Sequence, residues 1–162
     1  MTTLHDFEVS TIDGKSKALR DYAGQTLLVV NVASRCGLTP QYSALEALQK
    51  RYANRQFSVL GFPCNDFAGQ EPGTEAEIKA FCESRYDVSF PLFKKVHVKG
   101  AEQAPLYAFL TTQASAPDGP GDVSWNFAKF LVGGDGTVLA RFSPRTTPDA
   151  PEVVAAIEKT LG

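Results

Sequence analysis

A strand, a cysteine-bearing turn and a helix follow one another in TLLVVNVASRCGLTPQYSALEALQKRYA, residues 26–53. Residues 27–32 are a nearly unbroken apolar, β-branched run, which fits a strand buried on both faces of a sheet. Thr39 is placed to cap a helix, and Pro40 suits the first helical position. Tyr42, Leu45, Leu48 and Tyr52 then recur at helical spacing. Cys36 is thereby expected at the carboxyl end of a strand, just ahead of a helix N-terminus. Reactive groups of open α/β sheets gather at that edge, and a helix N-terminus favours negative charge on sulfur. The plainer alternative is a small apolar side chain at a turn, but a lone cysteine in a glycine-containing loop has little to pack against.

The rest of the chain narrows the function classes. At 162 residues it reads as one domain, 1–162, with a sizeable core. A net charge of -2 without a basic stripe argues against nucleic acid as the main partner. No apolar run of roughly 18 residues exists to span a membrane. The opening MTTLHDFEV lacks the basic and apolar regions of a secretory signal, so a cytoplasmic protein is expected. The three cysteines, Cys36, Cys64 and Cys82, include no C-x-x-C pair, and the only histidines are His5 and His97. Neither a disulfide framework nor a zinc site is expected, and no cofactor.

Along the chain, residues 7–9 and 17–19 flank an Asp13-Gly14 turn and read as an N-terminal β-hairpin. A second apolar strand is expected over 57–62, followed by the loop PCNDFAGQEPG. Thr74 and Glu77 form a capping-box signature for a helix ending near Tyr86, with Ile78, Phe81 and Cys82 on its apolar side. The VHV of residues 96–98 reads as a strand or extended segment with a solvent-facing histidine, and 105–111 as a helix with proline in its first turn. Residues 114–124 are a polar, Gly/Pro-rich connection. Residues 129–132 and 137–142 around GGDG read as a hairpin, and Thr147-Pro148 as the start of a closing helix carrying Val153, Val154, Ile157 and Leu161. The order predicts an α/β, thioredoxin-like sandwich: a central mixed sheet flanked by helices, with the hairpin at its N-terminus. The usual C-x-x-C is here Cys36-Gly37-Leu38-Thr39, so Cys36 needs another partner or another chemistry.

Neither histidine is placed to serve Cys36 as a base. The loops offer neutral donors instead: Gln70, Trp125 and Asn126. Their amide and indole N–H groups can stabilise a thiolate attacking a peroxide O–O bond. Taken singly, they read as a loop residue, a core anchor and a turn residue.

Three blocks, NVASRCGLTPQY, GFPCNDFAGQEPG and WNFAKFLV, resemble the signatures of the glutathione peroxidase family, and the resemblance spans residues 7–148. It implies a thioredoxin-like fold and reduction of hydroperoxides to alcohols and water. It places Cys36 at the peroxidatic position, with Gln70, Trp125 and Asn126 completing a tetrad. FCESRYDVSFPLF resembles the segment that carries the resolving cysteine in thioredoxin-dependent members, which makes Cys82 that residue and thioredoxin the reductant. Residues 78–90 are then expected to unwind or shift on oxidation. Cys64 reads as a partly buried strand-end residue. The connection before Trp125 lacks the longer insertion of tetrameric members, so a monomer open to bulky lipid hydroperoxides is expected. Asp66 and Ala68 depart from the Gln and Gly common in the family, and Asp66 brings a negative charge near the site in sequence. Two alternatives stay open: reduction of Cys36 by glutathione, and a peroxide sensor that relays its disulfide to a partner protein.

Overall fold

In the computed structural model, which describes residues 2–113 and 115–161, a single 3-10 turn, Leu4–Asp6, precedes an antiparallel hairpin of Glu8–Ser10 (β1) and Ser16–Ala18 (β2). There follow Thr26–Val32 (β3), Gln41–Tyr52 (α1), Phe57–Pro63 (β4), Glu75–Tyr86 (α2), Pro105–Thr112 (α3), Lys129–Val132 (β5), Val138–Phe142 (β6) and Pro151–Leu161 (α4). The hairpin is a small sheet of its own, and the main sheet runs β4-β3-β5-β6. β3 is parallel to β4 and antiparallel to β5, and β5 is antiparallel to β6.

β3 and β4 are buried along their whole length. Side chains of a strand alternate between faces, so β3 feeds two cores. Leu28, Val30 and Val32 pack with Leu45 and Leu48 of α1, Ile78 of α2, and Val153 and Ile157 of α4. Leu27 and Val29 pack with Leu106 and Leu110 of α3 and with Phe62 and Phe130. Each such side chain, once fully buried, contributes about 1.5–3 kcal/mol. The result is the expected mixed sheet with helices on both faces.

α2 starts as its residues predict. The Thr74 hydroxyl accepts from Glu77 N–H at 3.2 Å, and Glu77 Oε1 accepts from Thr74 N–H at 2.9 Å. The helix stops where Asp87 turns left-handed at φ +52°. α3 has Pro105 at its first position, where a missing N–H costs nothing.

Two local expectations are corrected. Thr39 does not cap α1: its hydroxyl accepts from Cys36 N–H at 2.9 Å and donates to the Ala33 carbonyl at 2.8 Å. The helix grows instead out of successive turns that begin at Cys36, with Pro40 at the cap. α4 starts at Pro151 and not at Thr147-Pro148, because the Thr147 carbonyl first closes a turn with Ala150 N–H at 3.0 Å. Of the two readings for residues 96–98, strand or extended segment, the strand does not form: Val96 N–H bonds the Pro63 carbonyl at 2.9 Å, and Val98 N–H is taken by the Asp66 carboxylate at 2.7 Å. In the 114–124 connection, Ala114 lies outside the described residues. The remainder is held against β6 by Arg141, whose Nη1 and Nη2 donate to the carbonyls of Gly121 and Asp122 at 2.6 and 3.0 Å.

Candidate active site

The strand directions bring four loops to one edge. β3 and β4 end there, β5 begins there, and β6, antiparallel to β5, ends there. The loops carry Cys36, Gln70, Trp125 with Asn126, and Ser143 to Arg145 in turn. They enclose a cleft of about 730 Å³ whose lining includes Cys36, Leu38, Gln70, Trp125, Pro144 and Arg145.

Cys36 is 8% exposed and sits in a turn that is closed before any substrate arrives. Leu38 N–H points at its Sγ at 3.3 Å, and the Thr39 hydroxyl holds its own N–H. Across the loops, Arg35 N–H donates to the Gln70 carbonyl at 3.0 Å, joining the cysteine turn to the Gln70 loop. Asn126 is fully buried and does not line the cleft, and its Nδ2 donates to Gln70 Oε1 at 3.0 Å. With that oxygen taken, the amide group that Gln70 has left for the cleft is its N–H₂. Trp125 packs on Phe67, ring centres 5.4 Å apart, so the Gln70 loop and the Trp125 loop brace each other. Cys36, Gln70, Trp125 and Asn126 are thus brought together.

Cys82 is not in the cleft. All three cysteines are free and buried, but they divide between the two faces of the sheet. Cys82 shares the core cluster of Cys36, whereas Cys64 lies in the other. Burial, with the Glu71 carboxylate adding, pushes the Cys82 thiol up to about 11, while the neighbouring Tyr42 hydroxyl works the other way. Burial pushes Cys64 up to about 12, and Asp66 N–H donates to its sulfur at 3.4 Å.

The Asp66 carboxylate is engaged by the segment that carries His97 and Val98. It meets His97 Nδ1 at 2.7 Å and Val98 N–H at 2.7 Å. Burial alone would raise the Asp66 pKa, but these bonds outweigh it and hold it below the usual carboxylate value. The same bond raises His97 above the usual imidazole value. His97 is therefore an anchor for the loop before Gln70 rather than a base for Cys36. Ala68, also in that loop, is left-handed at φ +55° beside Gly69 at φ +62°.

A family model described as glutathione peroxidase matches residues 4–111. The chain belongs to the glutathione peroxidase family. A hydroperoxy fatty acid reductase of Synechocystis sp. is 50% identical, with 98% of this chain and 96% of the relative covered. The thioredoxin/glutathione peroxidase BtuE of Escherichia coli is 46% identical, with 94% of each covered. Among solved structures, that of T. cruzi GPX1 superposes with a TM-score of 0.79 at 34% identity, over 99% of this chain and 97% of the other. Membership makes the chain an oxidoreductase of the peroxidase class with a thioredoxin-like fold.

Two buried polar residues that hold the loops around the cleft escape a reading by motif and donor type. Asn31, fully buried in β3, donates from Nδ2 to the Trp125 carbonyl at 3.1 Å and accepts Ala128 N–H on Oδ1 at 3.1 Å. Its own carbonyl takes Phe127 N–H at 2.6 Å. Lys129, fully buried at the start of β5, holds three carbonyl oxygens. The signal for both was present: a lone Asn and a lone Lys inside otherwise apolar strands, where a polar side chain has to find partners.

Proposed function

We propose that this peroxidase works through Cys36, assisted by Gln70, Trp125 and Asn126, with Cys82 as resolving cysteine and a thioredoxin-type dithiol protein as reductant. The observation that carries the reading is the cleft: Cys36, Gln70 and Trp125 line one opening, and Asn126 fixes Gln70 from behind. The Cys36 thiolate attacks the distal peroxide oxygen, the O–O bond breaks, and the departing oxygen takes a proton to leave as water or alcohol. Cys36 becomes a sulfenic acid. The Cys82 thiolate then displaces its hydroxyl, which leaves as water with the Cys82 proton, and a Cys36–Cys82 disulfide remains. Exchange with an external dithiol restores both thiols.

Cys82, not Cys64, suits the second step because it shares a face of the sheet with Cys36. A disulfide requires Cα atoms within about 7 Å, and the inward-facing Cys82 reaches that position when α2 opens over residues 78–90. Ser89 marks the firm end of this segment, since its N–H and hydroxyl both donate to the buried Glu46 carboxylate, at 2.8 and 2.6 Å. Leu38 and Pro144 beside Cys36 suit the acyl chain of a lipid hydroperoxide, in keeping with the fatty acid hydroperoxides in one relative's name. Arg145 on the same cleft favours a second reading for the reductant, in which its cation binds a glutathione carboxylate; the name of the Escherichia coli relative joins both reductants. Three free thiols fit a reducing compartment such as the cytoplasm, and we read the chain as a monomer. Among the described residues, no helix is long and apolar enough to cross a membrane.

The test is intact mass with peptide mapping after one equivalent of hydrogen peroxide, on wild type and Cys82→Ser. Loss of two hydrogens and a linked Cys36–Cys82 peptide in the wild type is the expected result. A persistent Cys36 sulfenic acid with no internal disulfide would return Cys82 to the core and favour glutathione.

A further inference from the structure

Among the described residues, Lys129 is the one lysine without solvent exposure, and no ion pair engages it. Its Nζ donates to the carbonyls of Phe127 at 2.7 Å, Pro144 at 3.2 Å and Ser143 at 3.4 Å. An ammonium has three donors, and here each finds an oxygen. The acceptors belong to two different loops. One follows Trp125 and Asn126; the other puts Ser143 and Pro144 on the wall of the Cys36 cleft. Gln41 Nε2 adds a further bond to the Pro144 carbonyl at 2.8 Å.

The position has no packing need for a lysine. Phe130, Leu131 and Val132, next along β5, are buried and apolar. Burial pushes the Lys129 ammonium down to about 7, with no ionisable neighbour adding to the shift. A cation in such a place is costly. The backbone it holds is costly too: Phe127 is left-handed at φ +68°, a conformation that bulky residues rarely adopt. It is gripped from both sides, its N–H by the Asn31 carbonyl and its carbonyl by Lys129. Strain kept in this way collects where geometry serves a site, and the residue before Phe127 is Asn126.

We propose that Lys129 is a positioning residue for peroxide reduction: its hydrogen bonds fasten the Trp125–Asn126 loop to the Ser143–Pro144 loop. The clasp sets the aim of Asn126 at Gln70 and the width of the cleft above Cys36. This inference rests on the reading of Gln70, Trp125 and Asn126 as members of the site.

The experiment compares full-length wild type, Lys129→Met, Lys129→Gln and Asn126→Ala. Each is oxidised with hydrogen peroxide in a single turnover. In parallel, emission and acrylamide quenching of the reduced protein report on Trp125, the sole tryptophan. Misplacing a catalytic group by about 1 Å costs on the order of 100-fold, so folded Lys129→Met should oxidise at least tenfold more slowly. Its Trp125 should become more quenchable. The amide of Lys129→Gln should recover part of both. Oxidation within threefold of wild type with unchanged Trp125 emission in folded Lys129→Met overturns the proposal. Failure of both variants to fold also overturns it, since Lys129 is then a folding residue. Wild-type oxidation by Asn126→Ala would instead sink the tetrad reading; a slow Asn126→Ala beside a normal Lys129→Met removes the Lys129 inference alone.

Discussion

Opening of α2 should set the rate of disulfide formation, and its two ends allow that rate to be pushed in both directions. The Cys82 thiol is fully buried and raised from 9.0 to about 11. Two units are about a hundredfold in thiolate at neutral pH, so nearly all competent Cys82 belongs to the opened helix. Thr74→Ala removes the acceptor for Glu77 N–H. Loss of such a cap costs about 1 kcal/mol, which is about fivefold in an opening equilibrium and about fivefold in resolution rate. Asp87→Gly acts at the other end. It relieves a non-glycine residue at φ +52° by about 1 kcal/mol, so resolution should slow about fivefold. The assay is stopped-flow oxidation with hydrogen peroxide, separating Cys36 oxidation from disulfide formation by acid quench and peptide mass. Cys36 oxidation itself should stay within twofold of wild type in both. If melting temperatures shift as the caps predict while both variants resolve within twofold of wild type, or both move the same way, α2 opening is not the gate. A parallel check is hydrogen exchange on oxidation: unchanged protection over residues 78–90 would refute the movement directly.

Three further outcomes follow from the same geometry. Ala68→Gly should raise stability by about 1 kcal/mol, or melting by about 3 °C, because an exposed Ala at φ +55° is replaced by the residue that accepts it; a lower melting temperature would contradict this. Cys64→Ala should keep peroxide turnover within twofold, since Cys64 lies on the opposite face of the sheet from Cys36. Urea titrations across pH should show the Asp66–His97 pair. His97 is raised, so its contribution is full below the ordinary imidazole value and is lost as pH rises through the raised one. Asp66 is lowered, so its contribution is full above the ordinary carboxylate value and is lost as pH falls through the lowered one. The pair therefore stabilises most between those two ordinary values, and His97→Gln should remove the loss on the alkaline side.

Features decided by neighbours in sequence were legible without the structure. The apolar run of β3, the Thr74–Glu77 box and the turn around Gly133–Gly136 act over a few residues, and each formed where its residue types demand. The placement of Cys36 at a sheet edge was legible too, because a strand followed by a helix leaves its turn there. What stayed hidden depends on partners distant in sequence. Asp66 read as a charge near the cysteine; its partner His97, which its carboxylate bonds, is 31 residues away. Asn31 reaches 94 residues to the Trp125 carbonyl, and no local pattern announces that bond. Thr39 shows the converse error: a good cap by type was claimed by a competing local use, the Cys36 N–H.

The resting structure treats the two proposed steps of the cycle unequally, and that has a measurable cost. The turn around Cys36 is already closed and its cleft is open, so the first step requires no rearrangement. Cys82 is sealed in the core and must wait for α2. While it waits, the sulfenic acid remains at the cleft, where a second hydroperoxide can oxidise it to the sulfinic acid, releasing another water or alcohol. The fraction lost in this way is a contest between peroxide concentration and helix opening. Thr74→Ala should therefore resist hyperoxidation, and Asp87→Gly should succumb at a peroxide concentration about fivefold lower than wild type. The readout is the two-oxygen adduct on the Cys36 peptide as a function of peroxide, with the reductant held in excess. Equal sensitivity of all three proteins would mean that Cys82 reaches the sulfenic acid without leaving its helix, and the gated cycle would have to be abandoned.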